Sequence, residues 1–191
     1  KISDSAIRIL SEIGMSDAPK ELCDLILEYG GKLEGKRLLY PTNLIESTIK
    51  RHQRVILLAG QTADNDLQVG GNYVYAGTGG AAPNLQNHKT KQYVPSKLKD
   101  LYDAARLADK LPNISFFSRS LVAGDIENPL DFDLSTAAAS LAGTSKHVMV
   151  QAAHFTHVNA IAELCYQIAG GEGNFRKRPF LSLHINHAVP P

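Results

Sequence analysis

From about residue 96 onward, helical and extended patterns alternate along the chain, and no other feature narrows the fold so far. Leu98, Leu101, Ala105 and Ala108 fall on one face of a helix predicted over residues 96–111. Residues 114–121 read as a strand, 131–143 as a helix, 147–152 as a strand, 156–169 as a helix and 180–185 as a strand. Strands separated by helices cannot close as hairpins. Parallel pairing through right-handed crossovers is the topology that this pitch dictates, and an α/β fold follows.

Upstream the elements are shorter. Ala6, Ile7, Leu10 and Ile13 share a face of a first helix over residues 3–13, stopped by Gly14. Asp17 is placed to cap a second helix, whose Leu22, Leu25, Ile26 and Tyr29 form one face before Gly30-Gly31. Residues 32–39 read as a hairpin turning at Glu34-Gly35, and Pro41 opens a third helix through Ile49. Strands are expected at residues 55–59, 67–69 and 72–76, with a turn at Asp64-Asn65-Asp66. A glycine-rich loop over residues 77–83 and a hairpin over 84–94 complete this part.

Two α/β architectures fit. An open doubly wound sheet with a dinucleotide site calls for G-x-G-x-x-G leading into a helix. Gly77-Thr78-Gly79-Gly80-Ala81-Ala82 only approximates it, and Pro83 with a hairpin follows. The expectation is therefore a (β/α)8 TIM barrel, preceded by a small helical and β-hairpin region. Residues 1–70 are assigned to that N-terminal region and 71–191 to the first half of the barrel. A barrel needs roughly 250 residues, so the chain is expected to be part of something longer.

Composition removes other classes. A net charge of +1 leaves no basic stripe for nucleic acid. The run Arg176-Lys177-Arg178 reads as a solvated loop before a strand. Cys23 and Cys165 sit among apolar residues at helical spacing, outside any C-x-x-C pair, and read as buried reduced thiols. No apolar stretch is long enough to cross a bilayer, and Lys1-Ile2-Ser3-Asp4 lacks the apolar core of a signal peptide. A cytoplasmic location is expected.

Several strings, in order, resemble the trimethylamine methyltransferase family. Residues Ala6-Ile7-Arg8-Ile9-Leu10-Ser11-Glu12-Ile13-Gly14-Met15 are similar to its opening helix, and Leu39-Tyr40-Pro41 to the step before a following helix. Tyr75-Ala76-Gly77-Thr78-Gly79-Gly80-Ala81-Ala82-Pro83 resembles the glycine loop after the first barrel strand. Thr90-Lys91-Gln92-Tyr93-Val94-Pro95, Asp100-Leu101, Ala104-Ala105-Arg106-Leu107-Ala108-Asp109 and Leu111-Pro112-Asn113-Ile114 continue the match. The resemblance implies transfer of a methyl group from trimethylamine or a betaine-like quaternary amine to the Co(I) of a corrinoid (cobalamin) carried by a separate protein. It also implies a small methylated amine and a cognate corrinoid protein as partners, and a homo-oligomer is expected. Some members carry pyrrolysine at a position that the family places beyond residue 191; relatives without it are the commoner kind, and one of those is expected.

Such chemistry needs a held cation and an aligned methyl group, not a nucleophilic side chain. In a barrel the residues for this lie at the carboxyl ends of the strands. Thr78, Gly79 and Gly80 follow the first strand, where glycine admits close approach to the backbone. Arg119 ends the second strand; it either grips a betaine carboxylate or forms a structural ion pair. Asp125 and Glu127 in the next loop either meet an ammonium group or are solvated. Gln151, His154, His184, Asn186 and His187 supply a polar rim at the third and fourth strands, and His157 lies three residues past His154 at a helix start. The cavity candidates are Thr78, Gly79, Gly80, Arg119, Gln151, His154, His184 and Asn186.

The same histidines leave a second reading, a metal-dependent barrel hydrolase, although neither H-x-H on a strand nor H-E-x-x-H occurs. A third reading is a catalytically incomplete fragment, since half a barrel has half a rim.

Overall fold

Pro19 and Pro41 each stand one residue ahead of a helix in the computed structural model, which describes residues 1–184. Proline presets φ and has no amide hydrogen to leave unpaired at a helix entry. These helices, α2 (Lys20–Glu28) and α3 (Thr42–Arg51), belong to a first compact unit, Lys1–Arg54. The unit opens with α1 (Ile2–Arg8), which widens into a π-helical turn over Ile9–Ile13. Gly14 ends it at φ 72°, where a Cβ would lie 2.4 Å from the Leu38 carbonyl oxygen. Strands β1 (Met15–Ser16), β2 (Lys32–Glu34) and β3 (Arg37–Leu39) form an antiparallel sheet in the order β1-β3-β2.

Two local expectations need correction here. The hairpin turns at Gly35-Lys36, because Glu34 still pairs with Arg37 and Gly35 supplies the left-handed φ of 60°. Asp17 does not cap α2; it takes φ 52° in the preceding turn, and Pro19 occupies the helix entry. Of the expected α2 face, Ile26 is buried while Leu25 and Tyr29 are exposed.

A second unit begins at Val55. Strands β4 (Val55–Leu58) and β5 (Leu67–Gly70) pair antiparallel around a 3-10 turn at Ala63–Asn65. A second hairpin joins β6 (Asn84–Gln86) to β7 (Tyr93–Pro95). Then come α4 (Leu98–Lys110), β8 (Phe116–Ser118), α5 (Pro129–Gly143) and β9 (His147–Gln151). A 3-10 turn at Phe155–His157, α6 (Val158–Ala169), α7 (Glu172–Lys177) and β10 (Leu181–His184) follow. Strands β8, β9 and β10 are parallel, with β9 central. The alternation expected from the sequence is thus observed, in a mixed α/β fold.

Residues 72–76 do not form the expected strand. The Ala76 carbonyl accepts from the Ser115 amide at 2.7 Å, and isolated parallel bridges follow, Gly77 with Phe116 of β8 and Ala82 with Leu121 beyond it. The side chain of Thr78 takes the place of a ladder: its hydroxyl donates to the Ser118 carbonyl at 2.6 Å and accepts from the Ser118 amide at 3.0 Å. Gly77 is required beside it, since a Cβ would come within 2.2 Å of the Phe116 ring.

Alternate residues of β9 make the core. Val148 and Val150 pack with Ala137 and Leu141 of α5, Ile161 and Cys165 of α6, and Phe180. Burial pushes the Cys165 thiol up to about 11, as suits an inert thiol. Leu101, Ala105 and Ala108 of α4 cover Phe117 of β8.

The β4–β5 hairpin is bound to the amino-terminal side of the parallel strands. The Ala59 carbonyl meets His147 Nδ1 at 2.8 Å, and the Asp66 carboxylate takes Arg178 in a two-pronged ion pair at 2.7 and 3.1 Å. The basic run is therefore not a solvated loop. Arg176 and Lys177 lie in α7, where Arg176 pairs with Glu172 one turn back, and Arg178 serves the hairpin. Among the described residues, no helix is long and apolar enough to cross a membrane.

Candidate functional site

Parallel strands direct all their carboxyl ends to one side, so residues far apart in sequence meet there. Gln151 ends β9 and His184 ends β10, and the two are register partners. Arg119 lies one residue past β8, where its amide donates to the Met149 carbonyl at 3.1 Å and extends the ladder. That extra step brings its side chain alongside the end of β9. Arg119 Nη2 donates to Gln151 Oε1 at 2.8 Å.

The Arg119 guanidinium also lies 5.6 Å from the centre of the Phe132 ring, a cation–π distance. Burial holds it below its usual range, and the Asp133 carboxylate opposes that shift. Its partner is a neutral amide, so the structural ion pair weighed from the sequence is not what holds it. The guanidinium is pinned at one nitrogen, with further donors in its fork.

The glycine loop reaches the same strand ends. Ala81 and Ala82 donate to the carbonyls of Arg119 (3.2 Å) and Ser120 (2.9 Å), just after Thr78 has hooked Ser118. Gly80 takes φ 107°, and a Cβ on Gly79 or Gly80 would meet nothing within 4 Å. Gly80 answers to backbone conformation, and both glycines face open space rather than close packing.

The structure thus brings Thr78, Gly79, Gly80, Arg119, Gln151 and His184 to one end of the sheet. His154 is exposed and turned to local use: its Nδ1 lies 2.8 Å from the Thr156 hydroxyl and accepts from the Thr156 amide, capping the 3-10 turn. Asp125 is likewise a cap, accepting from the Leu98 amide at 2.8 Å at the start of α4, and Glu127 is exposed. Asn186 and His187 lie outside the described residues.

One pair beside the site escaped the sequence reading. Asp133 on α5 is only 1% exposed. Its Oδ2 accepts from His157 Nδ1 and from the Ala153 amide, both at 2.7 Å. A signal was present: Asp133, Thr136, Ala137 and Ser140 recur at helical spacing, and that face is buried. An acid on a buried face calls for a reason. Among the described residues, no three His, Cys, Asp or Glu side chains gather as metal ligands, and the rim presents a guanidinium and an amide. The hydrolase reading is not favoured.

The model of the trimethylamine methyltransferase family matches residues 1–191. The chain belongs to that family. Two curated relatives, both from Desulfitobacterium hafniense, match it end to end. The trimethylamine methyltransferase MttB is 25% identical over 191 residues, covering 99% of this chain and 38% of its own length. The glycine betaine methyltransferase is 24% identical over 198 residues, covering 100% of this chain and 40% of its own length. The chain therefore spans about two-fifths of the length of these relatives.

Proposed function

We propose that this chain is part of an enzyme that moves a methyl group from a tertiary or quaternary methylamine to the Co(I) of a corrinoid protein. On the same reading residues 71–191 are the first half of a (β/α)8 barrel, preceded by the helical and hairpin region of residues 1–70. The observation that carries the proposal is the Arg119–Gln151 pair at the carboxyl ends of two adjacent parallel strands, in a chain matched along its whole length by the family.

The reaction is a displacement on a quaternary ammonium, or on a tertiary amine in its protonated form: the C–N bond breaks, its electron pair stays on nitrogen and a neutral amine leaves. The corrinoid, held by its partner protein, supplies the two-electron nucleophile. The open backbone at Gly79 and Gly80, where a Cβ would meet nothing within 4 Å, would leave room for such a group. The chain's own residues bind and orient. Arg119, steadied by Gln151 and Phe132, offers its remaining donors to a substrate carboxylate, as glycine betaine carries. Thr78 fixes the glycine loop to β8, and His184 extends the polar end beside Gln151. Two free cysteines accord with a reducing cytoplasm.

The test uses the full-length protein with reduced cobalamin and a panel including trimethylamine and glycine betaine, followed by mass spectrometry of the amine. Loss of one methyl group from at least one substrate is expected. If every amine comes back fully methylated, the proposal fails. Sedimentation of the same protein tests the expected homo-oligomer.

A further inference from the structure

Asp133 is a buried charge that methyl transfer does not by itself require. It stands one residue past Phe132, whose ring the Arg119 guanidinium covers. Its Oδ2 holds two donors from one loop, the Ala153 amide and His157 Nδ1, each at 2.7 Å. Its Oδ1 is buried and has no hydrogen-bond partner among the described residues. A carboxylate removed from water with one oxygen unsatisfied is less favourable than a small apolar residue in the same place, unless its charge or its contacts are used.

The contacts show where they act. Ala153 is two residues beyond Gln151, and His157 closes the short turn that leads into α6. A single oxygen on α5 thus draws in both ends of the loop that follows β9. Gln151 is the last residue before that loop, and its amide oxygen receives Arg119. We infer that Asp133, through Ala153 and His157, fixes the Gln151 amide where it meets Arg119, and is a positioning residue for the site. His157 is the second half of the device, an imidazole that presents Nδ1–H to the carboxylate at 14% side-chain exposure.

The effect on catalysis rests on the methyl-transfer reading; the effect on geometry does not, and the test separates them. In crystals of the full-length protein, D133N keeps the volume and removes the charge, H157L removes the donor, and H157N restores a donor near the place of Nδ1. D133N and H157L are expected to part Arg119 from Gln151 beyond about 3.5 Å, the limit of a hydrogen bond, and H157N to retain the contact. An unchanged contact in both D133N and H157L overturns the inference. If D133N does not fold, H157L against H157N decides it.

Turnover supplies the second readout. Acting through Gln151, Asp133 must be coupled to it. The double variant D133N/Q151L should then fall no more than about threefold below Q151L in kcat/KM. A loss equal to the product of the two single losses means independent roles and overturns the inference. Absence of turnover in the unaltered protein counts against the methyl-transfer reading alone, and the crystals then decide the positioning role.

Discussion

His147 is 1% exposed, with Nδ1 at 2.8 Å from the Ala59 carbonyl and Nε2 at 2.7 Å from the Ser182 hydroxyl. It joins the β4–β5 hairpin to the parallel strands. Burial lowers its pKa, and the Ala59 carbonyl, which favours the protonated ring, only partly offsets this. The folded state therefore takes up its proton at lower pH than the unfolded chain, whose imidazole titrates near 6.5. Below about pH 6.5 the unfolded chain binds more protons, so stability falls with pH until the buried ring itself protonates. Denaturant midpoints followed from pH 7 to pH 5 should decline, and H147Q should be less stable at pH 7 but show a flatter decline. Parallel curves for the two proteins would remove His147 from the acid limb. Lys146 beside it is only 7% exposed. Its Nζ donates to the carbonyls of Ala108, Leu111 and Ile114 at 2.6–2.8 Å, closing the end of α4. Periodicity gives no hint of such a role, because the partners are backbone atoms brought close only by the fold.

At the scale of elements, legibility depended on whether the deciding contacts were local. The α4 and α6 helices, β9 and β10 were readable because their apolar spacing matches the face that they bury. The strand expected over residues 72–76 is rich in aromatic and β-branched residues, but within it only the Ala76 carbonyl, accepting from the Ser115 amide at 2.7 Å, makes a backbone bond to the chain about β8. Residue preference reports what could lie in a sheet, not whether a neighbour is there. The short helix α7 was missed for the opposite reason. Gly171, Gly173 and Asn174 read as loop, and packing of Phe175 against Tyr166 and Phe180 outweighs that local preference. Helix α5 meets α4 at Gly143, where a Cβ would stand 2.5 Å from Ala105 Cβ and 2.9 Å from the Tyr102 carbonyl oxygen. Two backbones this close cannot admit a methyl group without parting. G143A should lose about 1–3 kcal/mol in denaturant unfolding. The size-compensated double variant G143A/A105G should recover part of that loss. No loss in G143A would mean that the α4–α5 contact yields freely.

For the whole molecule, the site was legible in outline because it follows from topology. Parallel β8 and β9 must deliver Arg119 and Gln151 to the same end, and a sequence that predicts the strands predicts that neighbourhood. Asp133 and His157 were not legible, since 24 residues and a crossover separate them and only the packed helices set their distance. On the proposed function, the choice of amine depends on what Arg119 has left to offer. Its Nη2 is committed to Gln151, and a permanently charged guanidinium repels a small cation such as trimethylammonium but suits a zwitterion bearing a carboxylate. On that argument R119A in the full-length protein loses a charged hydrogen-bonding partner worth about 1.5–3 kcal/mol to a betaine. Its KM for glycine betaine should rise about 10- to 100-fold. Its KM for trimethylamine should stay level or fall, because no carboxylate contact is lost and a like charge is removed. The ratio of the two changes is the quantity to measure, since general damage to the fold would move both together. Equal increases for both amines would mean that Arg119 braces the strand ends and does not choose the substrate.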